Sequence, residues 1–137
     1  MMEAKHVAFY KGHLVVKTPT DDASFSCGVI FLGSGLDEND VDMLLHEYGH
    51  TEQLDSLGVV CYLNTIVYPS VTCFALSSIS PKLEQNYYSL PWEYSADKMG
   101  GVSRTHADWA ETAANIYWMA ANFISDVYGL LIGPRGW

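Results

Sequence analysis

In the stretch LLHEYGHTEQL, Leu44 to Leu54, two histidines stand four residues apart with a glutamate directly after the first. Four positions along a helix make one turn plus about 40°, so His46 and His50 leave the same side and can grip one metal ion. Glu47 lies about 100° around from His46, where it can reach a water beside the metal without ligating the metal itself. Zinc hydrolases use this spacing because two neutral imidazoles and one further protein ligand leave a fourth position for water, whose pKa the metal lowers. The plain alternative is a helix that carries two solvated or packed histidines by chance. Against it, Val41, Leu44, Leu45 and Tyr48 make one apolar face, while Met43, Leu54 and Leu57 flank the histidine side. Polar groups covered on both sides want a common partner. Gly49 adds to this, since glycine costs about 1 kcal/mol relative to alanine inside a helix, a penalty easier to understand where something approaches closely.

A third ligand is then required. The extended form HExxHxxGxxH is excluded, because Gln53 stands at its glycine and Ser56 at its third histidine. Downstream, Glu93 and Asp97 in WEYSAD are again one turn apart. Glu93 can be the third ligand, and Asp97 can accept the N–H of a ligating imidazole, fixing its tautomer. Ala96 between them allows close helix packing.

HExxH followed by ExxAD resembles the glutamate-zincin metallopeptidases, including the CAAX-processing and heat-shock endopeptidases. The fuller string HEYGHTEQ, an apolar segment with an internal proline, then WEYSADKMGG is similar to the bacterial HEYGH domains found in Rhs-type polymorphic toxin proteins. The likeness covers about Gly28 to Gly101. It implies zinc on His46, His50 and Glu93, with Glu47 as the catalytic base, Asp97 behind a histidine, and a peptide or protein as substrate. It also implies a strand over the active-site helix whose edge receives an extended substrate, for which SFSCGVIFLG is the candidate. The chain departs from larger relatives in lacking a second lobe, and no oxyanion-stabilising residue stands at a recognisable offset. Tyr87, Tyr88, Arg104 and His106 are the candidates for that role, each of a type commoner without any special function.

The elements that must position these residues are readable in outline. At 137 residues the chain fits one domain, 1–137, and 49% hydrophobic against 17% charged residues favours a packed core. HVAFY and HLVVK flank Lys11-Gly12 as two short strands, and Ser24 to Leu32 reads as one strand. A helix is expected from Asp37, with Asp37 as N-cap and Asp40 in its first turn, to a stop near Gly58. A second runs from Ser89 or Leu90 to Gly100-Gly101, and a third from Thr105 to Gly129. The expected fold is α+β, a small N-terminal antiparallel sheet on a helical core made of the active-site helix, an apolar helical hairpin, the Glu93 helix and a C-terminal helix.

Net charge of −9 with no Lys/Arg cluster argues against a nucleic-acid partner. Three cysteines without CxxC spacing read as buried reduced thiols, and the N-terminus lacks the pattern of a secretory signal, so a cytoplasmic setting is expected. Between Asp55 and Lys82 no residue is charged. The run is long enough to cross a bilayer, yet one crossing would part His50 from Glu93. A turn back at Pro69 resolves this and gives a buried hairpin, or an interfacial one with peripheral membrane contact through residues 59–80. The sequence therefore points to a zinc peptidase. The alternative is a non-catalytic metal-bound module of a larger toxin-type or membrane-associated assembly.

Overall fold

A computed structural model of the chain describes residues 7–18, 25–33 and 41–133. The order is β1 (Val7–Tyr10), β2 (His13–Thr18), β3 (Phe25–Ser26), β4 (Ile30–Gly33), α1 (Val41–Leu57), α2 (Val59–Tyr62), a π-helical turn (Leu63–Val67), α3 (Tyr68–Ser77), α4 (Pro81–Gln85), a 3-10 turn (Tyr87–Ser89), α5 (Pro91–Gly100) and α6 (Ala110–Ile132). The fold is α+β, as expected.

Lys11 and Gly12 both have positive φ, 47° and 86°, the conformation a two-residue hairpin needs, so β1 and β2 pair antiparallel. The stretch expected as one strand is two: Gly28, at φ 93°, takes part in the bend between β3 and β4. β4 then pairs parallel with β2, so the sheet, in order β1-β2-β4-β3, is mixed rather than purely antiparallel. Val15, Ile30 and Leu32 form its buried face and pack on Met43, Leu44 and Tyr48 of α1.

α1 runs up to Gly58, whose φ of 82° suits glycine and stops the helix. The expected capping residues Asp37 and Asp40 lie outside the described residues. α5 begins with Pro91 in its first turn and ends at a left-handed Gly101, as read. The last helix differs from its expected bounds, starting at Ala110 and running past Gly129 to Ile132. Its start is late because His106 Nε2 donates to Asp97 Oδ2 (2.7 Å) and the Ala107 N–H donates to Ser89 Oγ (2.8 Å), drawing that backbone out of helical register.

The largest correction concerns the apolar hairpin. Val59–Ser77 forms one helix of 19 residues that does not turn back at Pro69, and by length and composition alone it is long enough to cross a membrane. The chain reverses only after Ser77, through α4 and the 3-10 turn. Proline has no N–H for the carbonyl four residues back and crowds it. Here that carbonyl belongs to Thr65, within the widened π turn, and the Tyr117 hydroxyl of α6 donates to it at 2.6 Å. The helix is carried into a new register rather than broken. Leu57, Cys61, Tyr62, Ile66 and Ala121 form the second core, between this helix, α1 and α6. Tyr68, Val71, Phe74 and Leu76 of α3, and Ile79 just beyond it, are apolar and exposed. Of the three unbridged cysteines, Cys61 is buried, Cys73 half-buried and Cys27 exposed, so burial holds for only one.

Candidate metal centre

α1 and α5 meet backbone to backbone. A Cβ on Gly49 would lie 1.8 Å from the Ala96 carbonyl oxygen, and one on Gly100 would lie 1.8 Å from that of Leu45. Only glycine fits at either point, which accounts for both residues and brings the ligand-bearing turns of the two helices together.

Within this contact His46, His50, Glu93 and Asp97 are all buried. Glu93 Oε2 lies 2.8 Å from His46 Nε2 and 3.4 Å from His50 Nε2. Tetrahedral coordination at zinc bond lengths places ligand atoms about 3.3 Å apart, so His50 Nε2 already stands near that separation from Glu93 Oε2, while His46 Nε2, hydrogen-bonded to the same oxygen, stands closer. The other imidazole nitrogens face away from that point. His46 Nδ1 donates to Asp97 Oδ1 at 2.7 Å, and His50 Nδ1 donates to Gln53 Oε1 at 2.7 Å. Each Nε2 is thereby turned toward Glu93. The far oxygen of Glu93, Oε1, accepts from Ser70 Oγ and from the Tyr87 hydroxyl at 3.2 Å.

Burial works to lower the His46 pKa, but Asp97 and Glu93 outweigh it and push the value up to about 10. Glu93 is the converse: burial raises it, and the two histidines hold it well below the usual carboxylate range. Asp97 is likewise held low against its burial, through His46, His106 and Arg104. Glu47 differs in kind. Burial raises its pKa and the histidines offset that only in part. Its Oε2 is buried without a hydrogen-bond partner, and one ligand atom from each of His46, Glu47 and His50 lies within 4.8 Å of the others. The donor set of two imidazoles and a carboxylate, with an orphaned carboxylate oxygen alongside, fits a divalent metal with one open position.

A cavity of about 250 Å³ opens onto these residues, with Glu47, His46, His50 and Glu93 in its lining. The four oxyanion candidates separate. Tyr87 and Tyr88 border the cavity, the first engaged with Ser70 and Glu93. Arg104 and His106 instead reach Asp97 Oδ2, at 3.0 and 2.7 Å, and the Arg104 guanidinium stacks 3.6 Å from the Tyr88 ring centroid.

Two groups at the centre escaped sequence reasoning. Gln53 is fully buried, and besides holding His50 it donates to the Trp92 carbonyl at 2.9 Å and to Ser95 Oγ. Its signal was present, since it lies three residues after His50 on the same helical side. Ser70 carried no signal, because its place beside Glu93 depends on the re-registered helix. No protein-family model matches the chain, and neither a curated protein nor a solved structure is detectably similar to it.

Proposed function

We propose that the protein is a metal-dependent peptidase of glutamate-zincin type, in which His46, His50 and Glu93 hold a divalent ion, zinc by the chemistry of the donors, and Glu47 is the general base. The observation that carries this reading is the Glu47 carboxylate, 4% exposed and with Oε2 unpartnered, facing the same cavity as the three ligands. A purely structural ion has no need of such a group, and burying it unpaired is costly.

When bound, the ion supplies Lewis acidity that polarises a carbonyl and acidifies water. Glu47 takes the proton of the attacking water and returns it to the leaving amine, from a buried position beside both imidazoles. Asp97 and Gln53 keep the imidazoles in one tautomer, while Ser70 and Tyr87 keep Glu93 Oε2 turned inward. Tyr88, bordering the cavity beside Arg104, is the donor we assign to the developing oxyanion.

The test is metal analysis of the purified protein with a peptide-cleavage screen run with and without chelator, repeated for Glu47→Gln. That variant should keep its metal and lose about 100-fold or more of the cleavage rate, the range for loss of a general base. An unchanged rate would refute the mechanism. One observation favours the non-catalytic alternative: all three ligands lie on α1 and α5, so the ion would also tie those helices together. Metal-loaded protein that cleaves no peptide would decide for it.

A further inference from the structure

The cavity above the metal centre has a wall of a different character from its floor. Ile66, Val67, Ser70, Val71 and Phe74 all line it, and they recur at spacings of three and four along the re-registered helix, so one helical face forms that wall. Its single polar member, Ser70, is committed to Glu93. Met43 of α1 and the Tyr87 ring extend the apolar lining, and among the described residues the only carboxylate and imidazole side chains bordering the space are those of the candidate metal centre itself. Val71 and Phe74 are 58% and 60% exposed, so they form the mouth as well as the wall. At about 250 Å³ the space is below the range of cavities that enclose drug-sized ligands, and matches one large side chain with room for water.

We propose that this cavity is a specificity pocket that takes a large apolar side chain, leucine, methionine or phenylalanine, from a residue flanking the bond to be cut. The inference rests on the peptidase reading for its placement at the scissile bond. The binding preference itself rests on the wall alone. An apolar side chain is desolvated there without loss, whereas a charged one gives up its water with no partner on the wall. Ser26, whose buried hydroxyl borders the same space without a partner, offers the substrate backbone a hydrogen bond from the sheet edge.

Two measurements test this. In the first, short blocked peptides with Phe, Leu, Ala or Asn at one position are titrated into the zinc-loaded Glu47→Gln protein and followed by NMR shifts of the cavity methyls. Phe and Leu peptides should bind more tightly than Ala by about 10-fold or more, at least the span for one methylene in such a pocket, and Asn, close in size to Leu but polar, should bind no more tightly than Ala. In the second, cleavage of a mixed peptide library by the unaltered protein is compared with Val71→Lys, a change at an exposed position that leaves the ligands in place. Apolar residues should dominate beside the cut in the first and give way to acidic ones in the second. Binding without apolar preference, or a cleavage pattern that Val71→Lys leaves unmoved, overturns the pocket. Selective binding with no cleavage at all upholds the pocket and overturns the peptidase.

Discussion

The imidazoles of His46 and His50 are each gripped from behind, one by a carboxylate and one by an amide. A carboxylate makes the ring a stronger base than an amide does, so the two histidines are not equivalent. Both supports are nonetheless expected to matter: Asp97→Ala and Gln53→Leu should each weaken zinc binding by about 10- to 100-fold in a competition titration with a chromophoric chelator. Unchanged affinity in either variant would remove that residue from the centre. The pKa shifts give a second expectation, for protein held in chelator. His46 is raised from 6.5 to about 10, so its contribution to stability is complete below pH 6.5 and fades as pH rises toward 10. Glu93 and Asp97 are held low, so theirs is present above their ordinary values of 4.5 and 3.8 and fades as pH falls. Glu47, raised by burial, runs in the opposite sense to those two. The melting temperature in chelator should therefore peak between about pH 4.5 and 6.5 and drop toward pH 9, while zinc-loaded protein, which needs deprotonated imidazoles, should not drop there. A flat profile in chelator would show that the buried pairs do not stabilise. At this scale the sequence was most legible, because one-turn spacings on helices are decided locally. Gln53 is harder to read, because an amide three residues after a histidine belongs to no metal-binding motif.

Between elements, local spacing no longer suffices. A turn at Pro69 follows from the sequence if His50 and Glu93 must stay on one side of the apolar run, but the helix continues, and the hydroxyl that serves the carbonyl left without its N–H comes from Tyr117, 48 residues away in sequence. Nothing near Pro69 announces that partner. The parallel pairing of β2 with β4 is of the same kind, set by how the chain between them folds rather than by strand composition. The Tyr117 contact can be tested by its dependence on the proline. Tyr117→Phe should destabilise by about 1–3 kcal/mol, the range for stripping a donor from a partly buried carbonyl. With Pro69→Ala also made, the alanine N–H can serve the Thr65 carbonyl and the loss should shrink. Urea unfolding of the four proteins in that cycle measures the coupling, and additive losses would mean the hydroxyl plays no part in carrying the helix past Pro69.

Across the whole molecule, the candidate metal centre forms only where α1 and α5 are locked together, with His50 and Glu93 standing 43 residues apart in sequence. Gly49 against Ala96 and Gly100 against Leu45 are contacts between backbones, with no side chain between them to yield. The gap between the ligands is consequently inherited from the distance of closest approach of two helices. A gap of that origin discriminates by ionic radius. Calcium prefers six to eight oxygen ligands at about 2.3–2.6 Å, and magnesium an octahedron of oxygens, neither of which two nitrogens and one carboxylate in a fixed frame can supply. Zinc, cobalt and nickel take nitrogen donors at shorter bonds and suit it. Zinc or cobalt should then bind and raise the melting temperature in the presence of a large excess of calcium and magnesium, whereas tight calcium binding would show that the frame opens. The two glycines, which carry no side chain of their own, would be what selects the element.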